Sequence, residues 1–359
     1  MTEFWRGRSV LVTGNTGFKG AWLSLWLEKL GARVSGIALP PKGEPSLYAL
    51  AGPWRGLDHA IVDIRDRRAV GDAIDRIEPQ IVFHLAAQAL VRASHRDPVE
   101  TYATNVMGTV NLLDAIRQHP SVEAIVVATT DKVYENEARA ISFIESDRLG
   151  GKDPYSNSKA CVELAVRSFR ASFFRDDSGP RLATARAGNV IGGGDWSEDR
   201  LVPDVVRALA AGQAVALRYP DSVRPWQHVL EPLRGYLTLA EHMVARRGEV
   251  PEAVNFGPDP ANAMPVARVV ELLAGAFDGA LRWEPAVGSH PPEAAILTLD
   301  STLAGQALGW TPRLGIDQTI GWTAEWYRGW RDGADARRLT LDQIARYEAL
   351  IEPANRVIT

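Results

Sequence analysis

The chain has 359 residues, of which 46% are hydrophobic and 23% charged, and its formal net charge is -4. This composition is ordinary for a soluble globular protein and excludes the strongly basic surface that nucleic acids and anionic membranes attract. The single cysteine, Cys161, excludes an internal disulfide and a cysteine-based zinc cluster. No apolar run approaches the ~18 residues of a membrane span, and the N-terminus lacks a signal-peptide pattern. We therefore expect a cytoplasmic protein without a membrane or nucleic-acid partner.

Strand-like and helical segments alternate through the first half of the chain. After the first strand, RSVLVT, the segment GAWLSLWLEKLGA carries apolar residues at helical spacing. Further short, apolar runs follow in chain order: RVSGIAL, HAIVDI, QIVFHLAA, EAIVVATT and RLATARA. Short apolar strands that alternate with helices predict an α/β protein with a doubly wound parallel sheet that helices cover on both faces.

The pattern changes after about residue 190. Shorter strand candidates are mixed there with helices and with many prolines and glycines: AVALRY, QHVL, VNFG and LRWEP. We predict two domains, a nucleotide-binding domain over 1–190 and a smaller, mixed α/β substrate lobe over 191–359. The second domain is expected to be partly interleaved with the first.

A glycine-rich loop, GNTGFKG, follows the first strand and leads into the first long helix. Gly14, Gly17 and Gly20 would let the backbone approach a diphosphate, whose charge the free amides at a helix N-terminus stabilise. A glycine-rich turn without a ligand is the alternative. In the order strand, turn and helix, the loop favours a Rossmann-like dinucleotide site, with Thr16 and Phe18 also beside the cofactor.

The end of the second strand leaves the choice between NAD and NADP open. An acidic residue usually holds the adenosine ribose there, but this strand leads into Pro40, Pro41 and Lys42. Asp63 and Ile64, at the end of the third predicted strand, could face the adenine. A helix-capping role for Asp63 is an equally good interpretation.

Two groups of residues later in the domain suggest chemistry. Thr130, Asp131 and Lys132 follow the apolar run that begins at Ala124, which predicts either a turn or reactive groups at a strand end. Tyr155 and Lys159 stand four residues apart, on one face of a predicted helix. A tyrosine becomes a useful base only if a nearby cation favours its phenolate, and Lys159 could supply that charge.

With these motifs, the chain resembles the extended short-chain dehydrogenase/reductases, and among them the nucleotide-sugar 4,6-dehydratases. TTDKVYEN and PYSNSK carry the resemblance, and GNVIGGGDW and RPWQHVLEP are similar to the branch that acts on CDP-glucose. Lys132 fits that branch, because the dTDP-glucose enzymes have a glutamate there. The resemblance implies NAD as cofactor and a nucleotide sugar as substrate.

The resemblance also implies roles for the residues. Thr130 would hold the 4-hydroxyl of the sugar and Tyr155 would remove its proton, while Asp131 would protonate the departing 6-hydroxyl. Lys132 would take the proton from carbon 5 or would only orient the substrate. Further cofactor contacts are implied for Ala86, Ala87, Gln88 and Asn105, and substrate contacts for Arg92, Asn189, Arg200, Leu201, Arg224 and Asn255.

Alternative functions remain at this point. A dTDP- or GDP-linked dehydratase is one, and a nucleotide-sugar 4-epimerase, which needs Tyr155 and Lys159 but not the Asp-Lys pair, is another. A cofactor-sensing regulator is the non-enzymatic alternative. Residues 97–118 and 154–174 are predicted to be two long helices, and the resemblance implies that they pair into a homodimer, with a tetramer possible.

Overall fold

The computed structural model describes residues 2–52, 57–136, 142–174, 179–245, 250–277, 282–288 and 296–351. Its strands are β1 Ser9–Thr13, β2 Arg33–Ala38, β3 Asp58–Ile61, β4 Ile81–His84, β5 Ala124–Ala128, β6 Arg181–Arg186, β7 Val190–Ile191, β8 Val215–Leu217, β9 Val223–Pro225, β10 Gln227–His228, β11 Ala253–Asn255, β12 Ala263–Pro265 and β13 Trp283–Pro285. Its α-helices are α1 Thr2–Trp5, α2 Phe18–Lys29, α3 Leu47–Ala51, α4 Arg67–Ile77, α5 Val91–Arg96, α6 Pro98–Tyr102, α7 Gly108–Ile116, α8 Pro154–Phe173, α9 Leu201–Ala211, α10 Leu230–Ala245, α11 Val266–Ala276, α12 Thr302–Leu308, α13 Ile316–Arg331 and α14 Ala336–Ile351.

Seven strands form one parallel sheet in the order β11-β6-β5-β4-β1-β2-β3. The inner strands β1 and β5 are buried along their whole length, because helices cover both faces. Alternate residues of β1 enter different cores: Val10 and Val12 pack on one face and Leu11 on the other. The predicted doubly wound fold is therefore confirmed. The strand order reverses between β1 and β4, which is where such sheets bind their ligands.

Strand β3 is shorter than the predicted strand over residues 59–64. It ends at Ile61, because a turn follows in which the Asp63 carboxylate accepts hydrogen bonds from the backbone and side chain of Arg65. Asp66, three residues after Asp63, then caps α4 by accepting from the backbone of Arg68 and Ala69. The acidic residues here build a turn and a helix cap.

One of the two predicted long helices is interrupted. Helix α8 runs unbroken over Pro154–Phe173, close to the predicted 154–174. Between α6 and α7, however, residues Ala103–Met107 form a π-helical turn. Such single wide turns are frequent at functional sites, and this one contains Asn105.

The later half of the chain forms three short strand pairs and one strand of the main sheet. The short strands pair as β10 with β7, β12 with β9 and β13 with β8. Strand β11, which overlaps the predicted VNFG strand at Val254 and Asn255, instead joins the edge of the main sheet beside β6. The pairing of β11 with β6 brings the segment after β11 close to the carboxyl end of the sheet. The division into two domains at about residue 190 stays a prediction. No helix in the described ranges is long and apolar enough to cross a membrane.

Candidate active site

The glycine loop has a shape that only glycine permits at two of its positions. Gly14 has a φ of +74°, and a Cβ there would lie 2.7 Å from the backbone nitrogen of Ala86. A Cβ on Gly20 would come within 2.2 Å of the Gly14 carbonyl oxygen, so α2 can pack closely onto the loop. Thr16 Oγ1 donates to the Leu39 carbonyl at 2.9 Å and ties the loop to the end of β2. The loop is therefore held close to the carboxyl ends of both strands.

The loop leaves the N-terminus of α2 available to a ligand. Gly17 is the N-cap residue and has no side chain that could bond the first helical amides. These amides have no intrahelical acceptor, and the helix dipole adds partial positive charge. The geometry therefore fits the diphosphate of a dinucleotide, which the backbone amides of residues 18–20 would hold. Phe18, in the first turn, lines the cavity beyond the loop.

The segment after β4 is held by a buried amide network. The side chain of Asn105 accepts from the backbone nitrogen of Gln88 and donates to its carbonyl oxygen and to Ser158 Oγ. The Gln88 side chain, in turn, bonds the backbone of Leu90 and the hydroxyl of Thr101. Asn105 and Gln88 thus fix the chain that carries Ala86 and Ala87, and their predicted contacts with the cofactor would be through this backbone.

The side chains of Asp63 and Ile64 both contact other residues of the protein. Asp63 pairs with Arg65, and Ile64 is buried in the core beneath the π-helical turn, where it lies against Gly108. Lys42, which follows β2, is exposed. The contact of Asp63 and Ile64 with an adenine stays a prediction.

Thr130, Asp131 and Lys132 lie where β5 ends, and both interpretations of this stretch apply. Thr130 caps a short 3-10 turn over Asp131–Val133, so the stretch is a turn. The Thr130 hydroxyl also donates to Asp131 Oδ1 at 3.0 Å, and Asp131 is only 1% exposed. Among the described residues, nothing bonds the second oxygen, Oδ2. Burial raises the pKa of Asp131, against the opposing effects of Lys132, Thr130, Arg224 and Lys19. A buried carboxyl with a free oxygen and a raised pKa is suited to donating a proton.

Gly188 explains how the Asp131 carboxylate fits there. A Cβ at Gly188 would lie 1.8 Å from Asp131 Oδ2, so the carboxylate rests directly on the chain between β6 and β7. The sequence analysis did not identify Gly188, because a glycine outside a turn motif gives no signal of close approach.

Tyr155 and Lys159 lie in the first turns of α8, which begins after the N-cap Asp153. Burial raises the pKa of Tyr155 to about 12, although a hydrogen bond with Thr130 and the charge of Arg200 oppose this. Lys159 Nζ donates to the Ala128 carbonyl at 3.2 Å, and burial lowers the pKa of Lys159 to about 8.

The expectation that Lys159 supplies the charge that favours the phenolate stays a prediction. Its ammonium group donates one hydrogen bond to the end of β5, and burial makes the phenol of Tyr155 less acidic than in water. The positive charge of an oxidised nicotinamide beside Tyr155 would also favour the phenolate.

A cavity of about 480 Å³ joins these groups to the smaller lobe. Most of the predicted catalytic and substrate residues line it: Thr130, Asp131, Lys132, Tyr155, Arg92, Asn189, Arg200, Leu201 and Arg224. Arg224 is 4% exposed, and its positive charge opposes the rise in the pKa of Asp131. Arg200 is bound to Asp195 at 3.0 Å. The cavity therefore carries the cations Lys132, Arg92 and Arg224 besides Arg200, which suits a ligand with phosphate groups.

Asn255 lies outside this cavity, and its predicted contact with a substrate is not supported. It is fully buried: Oδ1 accepts from the Tyr134 hydroxyl at 2.6 Å, and Nδ2 donates to the carbonyls of Phe143 and Asp300. All its side-chain groups are thus used to tie β11 to neighbouring segments.

Five charged residues of the cavity lining were not predicted from the sequence: Lys19, Asp195, Asp199, Asp204 and Arg218. Asp199, with a φ of +59°, accepts from Arg92 at 2.6 Å and from Arg218 at 3.4 Å. Lys19 lies within the glycine loop. A positive residue between two loop glycines was the available signal for Lys19; Asp199 and Arg218 had none, because only the folded chain brings them beside Arg92. In the described residues, no group of three or more His, Cys, Asp or Glu side chains is arranged to hold a metal.

Comparisons with known proteins agree with this architecture. Residues 10–257 match the NAD dependent epimerase/dehydratase family. The CDP-glucose 4,6-dehydratase of Salmonella typhimurium is 44% identical over 96% of this chain and 97% of its own length.

This chain belongs to the NAD-dependent epimerase/dehydratase family.

More distant members of the family share the fold. A dTDP-glucose 4,6-dehydratase of Xanthomonas campestris is 28% identical over 88% of this chain and 92% of its own. The solved UDP-glucose 4-epimerase of Thermotoga maritima, with UDP-glucose, superimposes with a TM-score of 0.77 at 23% identity, over 90% of this chain and 99% of its own. A dTDP-glucose 4,6-dehydratase of Bacillus anthracis, in complex with NAD, gives 0.76 at 20% identity, over 92% and 100%. The predicted extended short-chain dehydrogenase/reductase family and its cofactor, NAD, are confirmed.

Proposed function

We propose that the protein is a CDP-glucose 4,6-dehydratase, a hydro-lyase that converts CDP-D-glucose into CDP-4-keto-6-deoxy-D-glucose. The observation that carries the proposal is the 44% identity to the Salmonella enzyme over nearly the full length of both chains. The buried Asp131 beside Lys132 supports it, because elimination of water needs an acid and a base that simple oxidation does not.

Thr130 and Tyr155 would act at carbon 4 of the glucose. The Thr130 hydroxyl holds the 4-hydroxyl, and the Tyr155 phenolate takes its proton. When bound, NAD accepts a hydride from carbon 4 and returns it at carbon 6. Burial raises the pKa of Tyr155 to about 12 even against the charge of Arg200, so the positive charge of an oxidised nicotinamide would further favour the phenolate.

Asp131 and Lys132 would carry the loss of water. The ketone at carbon 4 acidifies the proton on carbon 5, which Lys132 would remove and give back to carbon 5 when the hydride has reached carbon 6. Asp131 donates its proton to the departing 6-hydroxyl through the oxygen that has no protein partner. The raised pKa of Asp131 keeps this proton available more readily than an ordinary carboxyl would.

The polar wall of the smaller lobe would bind the rest of the substrate. Arg224, Arg200 and Arg92 line the cavity and would provide guanidinium groups for the diphosphate, and Asn189 and Leu201 line the same cavity. A charge-assisted hydrogen bond to a phosphate contributes ~1.5–3 kcal/mol. In this proposal the protein acts in deoxysugar biosynthesis in the cytoplasm, where soluble nucleotide sugars are made.

A nucleotide-sugar 4-epimerase is the second candidate, because solved epimerases share the fold. An epimerase has no use for Asp131 and Lys132 as an acid and a base, and it would return the hydride to carbon 4. The dTDP- and GDP-linked dehydratases are further alternatives. The proposed catalytic residues act on the glucose and do not contact the nucleobase of the substrate.

Incubation with CDP-, dTDP-, UDP- and GDP-glucose in separate reactions tests the proposal. We expect the alkali-sensitive 4-keto product mainly from CDP-glucose. A Tyr155→Phe variant is the control for background. A galactose-configured nucleotide sugar without any 4-keto product would identify an epimerase and contradict the proposal.

A further inference from the structure

Lys19 is a cation of the active-site cavity that the proposed reaction does not use. Its backbone lies in the glycine loop, in the first turn of α2, and its side chain lines the same cavity as Tyr155 and Asp131. Its Nζ donates to the Tyr236 hydroxyl on α10 at 3.4 Å and lies 5.8 Å from the centre of that ring. Lys19 therefore connects the loop that fits the cofactor to the reacting groups.

The surroundings of Lys19 are mainly positive. Within the described ranges, no carboxylate forms an ion pair with its ammonium group. Burial, Arg200 before α9 and Lys159 on α8 together lower the pKa of Lys19 to about 7, while Asp131 opposes them. The neutral hydroxyl of Tyr236, whose pKa burial raises, adds no negative charge. Lys19 thus changes charge near neutral pH, inside a cavity where charges act strongly.

We propose that Lys19 sets the balance between oxidised and reduced cofactor, because its ammonium group disfavours the positively charged oxidised nicotinamide relative to the neutral reduced one. The inference rests on the proposed function, in which the nicotinamide lies beside Tyr155. Cofactor and substrate would expel water from the cavity and so strengthen this repulsion. Lys19 is therefore a positioning and tuning residue, which favours removal of the hydride from carbon 4.

The repulsion couples Lys19 to the redox state of the cofactor. With an oxidised nicotinamide nearby, Lys19 loses its proton more easily. With the reduced nicotinamide, Lys19 keeps its proton. The ratio of the dissociation constant for NAD+ to that for NADH should then be high at low pH, where Lys19 is charged. This ratio should fall as the pH rises, because a neutral lysine does not repel the positive charge of NAD+.

Binding of both cofactor forms to the cofactor-free protein tests this inference without any turnover. NADH binding is followed by its fluorescence and NAD+ by displacement, at about pH 6 and about pH 8.5, on either side of the Lys19 transition. At the lower pH, Lys19→Met should reduce the ratio of the dissociation constant for NAD+ to that for NADH roughly tenfold, the size of effect expected when one charge is lost from a cavity of moderate dielectric. At the higher pH, the wild type and Lys19→Met should converge.

Two further variants separate charge from shape. Lys19→Arg keeps its charge at both pH values, so its ratio should stay high at both and exceed the wild-type ratio at the higher pH. Lys29→Met removes a charge from the exposed end of the same helix, where Lys29 pairs with Glu348, and should match the wild type. Thermal melting checks that each variant is folded.

An unchanged ratio in Lys19→Met at the lower pH overturns the inference. So does an equal loss of affinity for both forms, which would show that Lys19 binds the diphosphate or shapes the loop. These results are distinct from failure of the proposed function. If the protein forms the 4-keto product and the ratio is unchanged, only the role of Lys19 is wrong; if no nucleotide sugar reacts, the function itself fails.

Discussion

Asp131 and Lys132, at the end of β5, have opposite environments, and this difference suits them to different chemical roles. Asp131 is 1% exposed and rests on Gly188, with its pKa raised by burial. Lys132, the next residue, lines the open cavity and is half-buried. In the proposed mechanism, Asp131 is therefore the proton donor, and Lys132 can reach a substrate that fills the cavity.

If Lys132 removes the proton from carbon 5, Lys132→Met should leave oxidation at carbon 4 intact and slow elimination by ~10²–10⁴-fold, as loss of a general base does. Reduced nicotinamide should then accumulate in a single turnover, measured by its absorbance. Tyr155→Phe should give no absorbance change, because no base remains for the 4-hydroxyl.

Lys152→Met is the control, since Lys152 is exposed and lies outside the cavity lining. It should behave like the wild type. Turnover of Lys132→Met near the wild-type rate would show that another group is the base. Absence of any reduced nicotinamide in that variant would instead assign Lys132 to positioning.

At the level of the elements, the segment between β6 and β7 determines where Asp131 can lie. We predict that Gly188→Ala displaces the carboxylate, because the new methyl group would overlap Oδ2. The activity should fall ~10²-fold, the usual cost of misplacing a catalytic group by ~1 Å. The free energy of unfolding should fall by only ~1–3 kcal/mol.

Gly275→Ala, in α11, is the matched control for Gly188→Ala. A methyl group there would meet nothing within 4 Å, so this variant should keep full activity and gain ~0.5–1 kcal/mol of stability. Activity of Gly188→Ala equal to that of Gly275→Ala would show that the position of Asp131 is not critical.

The elements themselves were predictable, and the directions of buried polar groups were not. Short apolar runs and helical spacing predicted the strands of the main sheet and α8, because periodicity reflects burial. The π-helical turn at Ala103–Met107 has no local sequence signal. The bonds of Asn255 depend on Tyr134 and Phe143, more than a hundred residues away, and the sequence does not reveal such partners.

At the level of the whole molecule, α8 and the helical region from α6 to α7, with its π-helical turn, expose apolar side chains. Met107, in the π-helical turn before α7, and Leu164, on α8, are each 52% exposed, and Val99 on α6 is 78% exposed. Large exposed apolar groups on packed helices are typical of an interface. We propose that these helices form the contact between two copies of the chain, as the family resemblance implies.

Light scattering at micromolar concentration tests this assembly. We expect at least a dimer for the wild type, and a monomer for Leu164→Glu, because burying a charge in an apolar interface is costly. Val287→Glu is the control: Val287 is 98% exposed but lies far along the chain from both helices. A monomeric wild type would refute the proposal, whereas a tetramer would be compatible with it.

The central claim is that one hydride moves from carbon 4 to carbon 6 of the same sugar and the cofactor is regenerated. The direct test is turnover of CDP-glucose that carries deuterium at carbon 4, with catalytic amounts of NAD, followed by NMR of the product. We predict deuterium at carbon 6 of a 4-keto-6-deoxy sugar and no net formation of NADH. Deuterium retained at carbon 4, or recovered in free NADH in proportion to product, would contradict the account.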